Sequence, residues 1–472
     1  MFYEKLNELL AEAGFDEWVE SLCQPYYAKA GRPGIPPGVY FRMLLVGYFE
    51  GIGSQRGIAW RCSDSMSLRK FLGIASTEGS PEHSSLSVIR ERLPVEVHKA
   101  AFVWVLELAR ENNLLDGKTV GVDSTTLEAN AAMKSIVRKD TGEDWQEYLT
   151  SLMREAGTVG QDEKPTVEEI IRFDKSRKDK KVSNEDWESL SDPDSRIARM
   201  KDGTTHLAYK AEHAVDLNTE MIIAAEVYYA NQGDTQTLED TVQEAQVNLQ
   251  EAGSSVQVED VVADKGYHSA ETLETFAEHT PFRTYIPEPK RPAGQTRTWT
   301  DKPPEQKEAV YANRRRTHGD RSKQMQRERS EKVERTFAHM CETGGARRTW
   351  LHGIEKVQKR YLIAAMAHNL GRLMREMFGM GTPRGLQKGA AAFLYAMYVA
   401  LLTIWRSLKP QRPPILNFRR ATRVFRHARS RAADCLRNRR NTSFSTGCQG
   451  RLPFRTRTRA LTRIPNEPSS FG

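Results

Sequence analysis

Three acidic residues stand where a carboxylate can do chemistry. The stretch Val261-Val262-Ala263-Asp264-Lys265-Gly266-Tyr267-His268 reads as a short buried strand closing on Asp264. Lys265-Gly266 then turns the chain into a segment, 269–278, with Leu273, Phe276 and Ala277 at helical spacing. In an open α/β sheet ligands collect outside the carboxyl ends of the strands, so Asp264 is presented to a substrate there. The other reading is a turn aspartate that caps the following helix. Thr119-Val120-Gly121-Val122-Asp123 has the alternation of a strand and also ends on an aspartate. Glu334 falls on a long helix starting near Lys323, whose one face carries Arg327, Glu331, Glu334, Ala338 and Cys341. Val333, Phe337 and Met340 form a neighbouring apolar stripe that would pack on a sheet.

Carboxylates gathered from two strands and a helix repel one another unless a cation binds among them. Hard oxygen ligands of this kind suit Mg²⁺ or Mn²⁺. Two such ions can activate one phosphodiester oxygen and stabilise the leaving one, which is nuclease and strand-transfer chemistry. Spacing alone does not single out this triple, because the chain has 62 acidic residues.

The elements that must position these groups follow from the pattern along the chain. Residues 1–30 read as amphipathic helix, followed by the breaker Gly31-Arg32-Pro33-Gly34-Ile35-Pro36-Pro37. Short helices with turns at 51–57 and 81–85 lead to a long helix over 95–113. This is a small helical module, suited to helix-turn-helix DNA binding or to packing and dimerisation. After Leu115-Asp116-Gly117 comes the Asp123 strand, then a polar, charged segment at 134–200 with Trp145 and Trp187 as its large apolar anchors. That segment reads as an inserted, partly flexible stretch outside the core. Strands at 206–216 and 221–229 form a hairpin across Leu217-Asn218-Thr219-Glu220. A helix over 235–252 precedes the Asp264 strand, and 282–320 reads as basic loop.

The totals fit a globular protein of 472 residues, 39% hydrophobic and 28% charged, with a formal charge of +8. The charge is unevenly placed. Residues 379–472 hold nineteen Lys and Arg against Asp434 and Glu467, so the body before them is net acidic. A basic tail on an acidic body points to a polyanionic partner, nucleic acid first. Its arginines after Leu408 suit a non-specific DNA arm or an extension under no functional constraint. Five scattered cysteines, Cys23, Cys62, Cys341, Cys435 and Cys448, include no C-x-x-C pair. They argue for a reducing compartment and against a zinc site or a disulfide framework. The polar N-terminus carries no signal-peptide pattern, and the apolar run at 389–405 is better read as a buried or oligomerising helix than as a membrane span.

Several motifs together resemble the DDE transposases of bacterial insertion sequences. They are Gly121-Val122-Asp123-Ser124-Thr125-Thr126-Leu127-Glu128-Ala129-Asn130, Val262-Ala263-Asp264-Lys265-Gly266-Tyr267 and Val333-Glu334-Arg335-Thr336-Phe337. Glu342-Thr343-Gly344-Gly345-Ala346-Arg347-Arg348, His368-Asn369-Leu370 and the segments around 40–57 and 83–85 belong to the same likeness, which covers roughly 30–378. The resemblance implies an α/β, ribonuclease H-like catalytic domain, a mixed sheet flanked by helices, over 117–378. It also implies an α-helical DNA-binding or dimerisation domain over 1–116; the apolar helix and Arg-rich tail, 379–472, fall outside it. Asp123, Asp264 and Glu334 become the metal-binding triad, with two Mg²⁺ or Mn²⁺ ions. The partners become double-stranded DNA, as terminal inverted repeats and target, and a second copy of the chain, in the bacterial cytoplasm at the nucleoid. Many relatives carry an Arg four residues before the glutamate and a Lys seven after it; Ser330 and Cys341 stand there in this chain. Arg327, Arg329 and Arg335 are the nearby candidates for phosphate contact, joined by Lys265, Arg347, Arg348 and Trp299, which could stack on a flipped or frayed base. For each, a solvated or loop side chain is the plain alternative. A DNA-binding remnant without catalysis and a nuclease without strand transfer are the rival functions. Asp234 suits an N-cap or a supporting acid, while His213, His268 and His339 suit structural roles.

Overall fold

The computed structural model describes residues 2–383, apart from 29–33, 178–182, 201–202, 291–297, 301 and 343, together with residue 397. The N-terminal apolar periodicity resolves into α1 (Phe2–Glu12), α2 (Phe15–Cys23), α3 (Pro37–Glu50), α4 (Gln55–Asp64), α5 (Met66–Phe71), α6 (His83–Arg92) and α7 (Val95–Glu111). The single helix expected over 1–30 is broken at Gly14, whose φ of 66° is left-handed backbone that glycine enters without a Cβ penalty. Helix α3 begins at the tandem prolines and stops at Gly51, also left-handed. Arg42 is buried in it and grips both carboxylate oxygens of Asp16 at 2.7 and 3.0 Å, clamping α2 to α3.

The sheet begins with β1 (Thr119–Glu128), followed by β2 (Ile136–Arg138), α8 (Trp145–Glu155), α9 (Val167–Ser176), β3 (Trp187–Ser189) and β4 (Arg196–Arg199). Next come β5 (Thr205–Asp216), β6 (Ile222–Tyr229), α10 (Asp234–Glu251), β7 (Asp260–Val262), α11 (Ala270–His279) and β8 (Arg283–Tyr285). Helices α12 (Pro304–Thr317), α13 (Asp320–Glu342) and α14 (Ile354–Phe378) complete the described elements. The main sheet runs β4-β5-β1-β7-β8, with β6 also paired to β5. Strands β5 and β6 form the expected antiparallel hairpin, β1 runs antiparallel to β5, and β7 and β8 run parallel to β1. This is the mixed, helix-flanked sheet that the resemblance implies. Its apolar core is continuous with that of the N-terminal helices, from Leu6 and Phe41 through Phe102 to Val122 and Val262.

Three further expectations change. Strand β1 does not end at Asp123 but continues to Glu128, because Thr125, Thr126 and Leu127 keep pairing with β5. The stretch at 282–320 is not all loop: β8 opens it, and α12 starts on Pro303-Pro304 and buries Ala309 and Val310. The segment at 134–200 carries more order than its polarity suggests. Capping boxes at Asp144/Glu147 and Thr166/Glu169 start α8 and α9, which enclose a small core of Leu149, Met153 and Ile170. Strand β2 pairs with β3, and β4 joins the main sheet.

Open sheet edges expose unpaired backbone groups, and here asparagine side chains take them up. Asn369 on α14 accepts from Ile222 N–H (3.0 Å) and donates to Ile222 C=O (2.8 Å) at the edge of β6. Gln358 does similar work further along, at Val227 N–H and Ala225 C=O. Asn313 on α12 binds Ile286 in the same two-pronged way just past β8, and Asn184 does so to Ile197 in β4. Among the described residues no helix is long and apolar enough to cross a membrane. The apolar run at 389–405, Met397 apart, and the arginines after Leu408 lie outside the described residues.

Replacing buried Asn313 by leucine strands the Ile286 N–H and C=O without partners. The expected cost is about 2–4 kcal/mol of stability, read as a lower urea midpoint at unchanged slope.

Candidate active site

The site starts from strand register. Gly121 in β1 lies opposite Val262, the last residue of β7, and Asp264 follows two residues beyond it. Neighbouring strands lie roughly 5 Å apart, and Asp264 comes near enough to Asp123 for its charge to act on that carboxyl. Helix α13 covers the face of β1 that carries Asp123. It approaches β1 so closely that a Cβ at Gly121 would stand 2.6 Å from Leu217 Cδ2, 3.0 Å from Val333 Cγ2 and 3.1 Å from Arg329 Cγ. The apolar stripe of α13 is where the sequence placed it, with Val333, Phe337 and Met340 buried.

This close crossing lets the buried Arg329 donate through Nη1 to Asp123 Oδ2 at 2.9 Å. Asp123 Oδ1 accepts from the Ser124 N–H at 2.8 Å. Burial pushes the Asp123 carboxyl above its ordinary range; Arg329 and the Ser124 N–H pull it back, and the charge of Asp264 pushes it up again. Asp264 lies two residues past the end of β7 and accepts the Gly266 N–H at 2.6 Å, capping a single turn at Lys265–Tyr267. The turn role read from the sequence is met at this short turn, while the following helix α11 is capped by Ser269, whose Oγ accepts the Thr272 N–H.

Glu334 shares α13 with Arg329 but not its direction. Successive helix residues turn by about 100°, so with Val333 facing the core Glu334 is exposed, and its Oε1 accepts from Ser330 Oγ at 2.9 Å. Among the described residues no group of three His, Cys, Asp or Glu side chains stands close enough to hold a metal ion. The structure brings Asp123 and Asp264 together and leaves Glu334 on the helix surface. The paired carboxylates, one of them largely desolvated, are a hard-oxygen donor set that fits a divalent cation.

The opposite face of β1 carries a polar cluster. Ser124 Oγ donates to Asp234 Oδ1 at 3.0 Å, and the buried Lys210 ammonium meets the same oxygen at 2.8 Å. Lys210 also donates to Thr237 Oγ1 (2.7 Å), which donates to Glu212 Oε2 (2.5 Å). Asp234 is the first residue of α10, while Gly233 holds the cap position, so its carboxylate supports this cluster rather than capping the helix. Lys210 and Glu212 went unremarked in the sequence. The available signal was two charges two residues apart in a strand otherwise fit for burial on both faces. His213 is structural: it is buried, bonded to Thr336 and Tyr361, and stacked on Phe337 at 4.0 Å.

The proposed DNA contacts separate. Lys265, Arg327, Arg347 and Arg348 are exposed, and Arg348 lies 3.7 Å from Glu128. Arg329 is committed to Asp123, and Arg335 to Glu220 and Glu331. Trp299 is half-buried and tilted against Tyr311 at 6.1 Å.

Two family models match the chain. Residues 1–92 match the family described as Transposase domain (DUF772), and residues 186–370 match the family described as Transposase DDE domain. Together they span more than half of the chain. The chain belongs to the DDE transposases. Its mixed sheet is thereby ribonuclease H-like, and the second match takes in Asp264 and Glu334, while Asp123 lies ahead of it. No curated protein and no solved structure matches the transposase chain.

Burial raises the Glu212 carboxyl from its ordinary value to about 7, against the pull of Lys210. A carboxyl raised in the fold contributes stability at low pH that is lost as pH rises through its folded value. Glu212→Gln removes that loss. Its stability relative to wild type is expected to climb between about pH 5 and pH 8, by at most ~3 kcal/mol, measured by chemical unfolding across that range. A flat difference would place the Glu212 titration elsewhere.

Proposed function

We propose that this transposase binds the terminal inverted repeats of an insertion sequence, cleaves phosphodiesters there and joins the freed 3′-hydroxyl to target DNA. The observation that carries the reading is the pair of aspartates brought near each other by the adjacent parallel strands β1 and β7. Asp123 and Asp264, with Glu334, are the groups to hold Mg²⁺ or Mn²⁺. Two such ions would activate the attacking oxygen and stabilise the leaving one.

The chain's own residues orient these groups. Arg329 and the Ser124 N–H fix the two oxygens of Asp123. The Gly266 N–H fixes Asp264, and Ser330 steadies Glu334. Exposed Lys265, next in sequence to Asp264, supplies phosphate contact, together with exposed Arg327, Arg347 and Arg348. Water and then the 3′-hydroxyl act as nucleophiles, so no covalent protein–DNA bond forms. The helices at 1–116 act as the DNA-binding and dimerisation module, the remainder to 378 as the catalytic domain, and two copies hold paired ends. Work on DNA in the bacterial nucleoid follows from that activity. The separation of Glu334 from the aspartate pair favours one rival, a DNA-binding descendant that no longer cuts.

Cleavage of a labelled duplex carrying the element's own end decides between them. Wild type is expected to cut and to join ends with Mg²⁺ or Mn²⁺ but not with Ca²⁺. Asp123→Ala, Asp264→Ala and Glu334→Ala are each expected to lose at least about a thousandfold in rate, in keeping with the weight of transition-state charge stabilisation. Binding without cutting supports the rival, cutting without joining marks a nuclease, and cutting that survives all three substitutions removes this site.

A further inference from the structure

A cavity of about 550 Å³ opens between α3, α4, α6, α14 and the segment 344–352. Its wall holds Arg56, Arg90, Lys356, Lys359 and Arg360, with Glu91 as its acidic residue. Glu91 is paired with Lys356 at 2.5 Å, and Glu355 with Lys359 at 2.6 Å. Among the described residues no carboxylate pairs with Arg56, Arg90 or Arg360. Arg90 is only 6% exposed, beside the Tyr40 hydroxyl, and Arg360 donates only to the backbone carbonyls of Arg348 and Gly345. Burial and the nearby charge of Arg90 push the Arg360 guanidinium down to about 10. Buried cations without counter-charge are costly, and an anion brought into the cavity offsets that cost.

The position of the cavity indicates the anion. The segment lining it is tied to the end of β1, through Glu128 N–H to Arg347 C=O (3.1 Å) and Thr349 N–H to Glu128 C=O (2.9 Å). Asp123 lies five residues back along that strand from Glu128, roughly 17 Å at the rise of a β-strand, so the cavity beyond Glu128 lies several nucleotides away at the axial spacing of a DNA strand. The cavity is lined by α14, which lies with α13 on the face that carries Asp123, as the bonds of His213 to Thr336 and Tyr361 record. Trp350 stands at the mouth, 52% exposed beneath the Arg348 guanidinium, and a Cβ at Gly53 would reach 2.8 Å from its Nε1. That glycine lets the N-terminal helices close onto the indole.

We propose that this cavity seats a backbone phosphate of the bound DNA strand, several nucleotides from the scissile bond, on Arg56, Arg90 and Arg360. The proposal rests on the transposase reading and gives it a second anchor, shared by the N-terminal helices and the catalytic domain. Each phosphate neutralised adds close to one unit to the slope of log affinity against log salt.

The test is fluorescence anisotropy of a fluorescein-labelled random-sequence duplex with the full chain over a range of salt. The double variant Arg56→Gln/Arg360→Gln is expected to bind about tenfold more weakly, with a slope shallower by about one. The variant Arg56→Lys/Arg360→Lys is expected to restore the slope. Lys164→Gln/Lys175→Gln removes as much charge at exposed positions outside the N-terminal module and is expected to leave the slope unchanged. Thermal melting of every variant separates misfolding from lost contact; if the double Gln variant melts early, Arg56→Gln alone, at an exposed position, carries the test. Equal slopes for wild type and the Gln variants, or an equal fall in the Lys164/Lys175 control, overturn the proposal while wild-type binding and cutting keep the transposase reading. A cavity that only stores free anion, seen as melting raised by inorganic phosphate in wild type alone with no change in the DNA slope, also overturns it. No duplex binding by wild type removes both readings.

Discussion

Helix α13 reaches the sheet because position 121 has no side chain. Leu217, Val333 and the Arg329 stem all occupy space that a Cβ would need. Any larger residue would push the helix outward and draw the Arg329 guanidinium away from Asp123. That guanidinium offsets part of the cost of placing a carboxylate there, since an isolated buried charge is prohibitively costly. The site's electrostatics thus rest on a steric allowance two residues away.

Strand β1 serves both sides of the sheet at once. Its odd positions meet α13, where Asp123 finds Arg329, and its even positions meet α10, where Ser124 finds Asp234. The two adjacent residues are held from opposite faces, each by a charged partner that is itself anchored. Lys210 stands between Asp234 and Thr237, and Thr237 passes the connection to Glu212. A chain of polar groups in so apolar a setting is strong only while every member is satisfied, which makes the backing of the site as exacting as its front.

Much of this was legible in the residues. The apolar stripe Val333, Phe337, Met340, the hairpin of β5 and β6, and the β7 run ending just before Asp264 all follow from periodicity. Periodicity is a local signal, and the misreadings arise where distant partners decide. Asp123 looked terminal because the apolar alternation stops there, yet β5 supplies a partner for the polar residues that follow. Helix α12 was hidden by its arginines, two of which have partners from the preceding segment: Arg314 with Glu288 and Arg316 with the Thr284 carbonyl. Asp234 resembled a cap because its partners, Lys210 and Ser124, lie far from it along the chain. The direction of Glu334 depends on how α13 is rotated about its axis, which spacing alone leaves open.

Asn184, Asn313 and Asn369 each present one amide to one isoleucine, as the backbone of a further strand would. At these positions the sheet is finished from within, by side chains that supply hydrogen bonds but cannot propagate a ladder. Two copies of the chain brought together therefore cannot extend one sheet into the other there without first displacing an asparagine. Crowded copies gain no ready template for cross-β growth at the guarded edges.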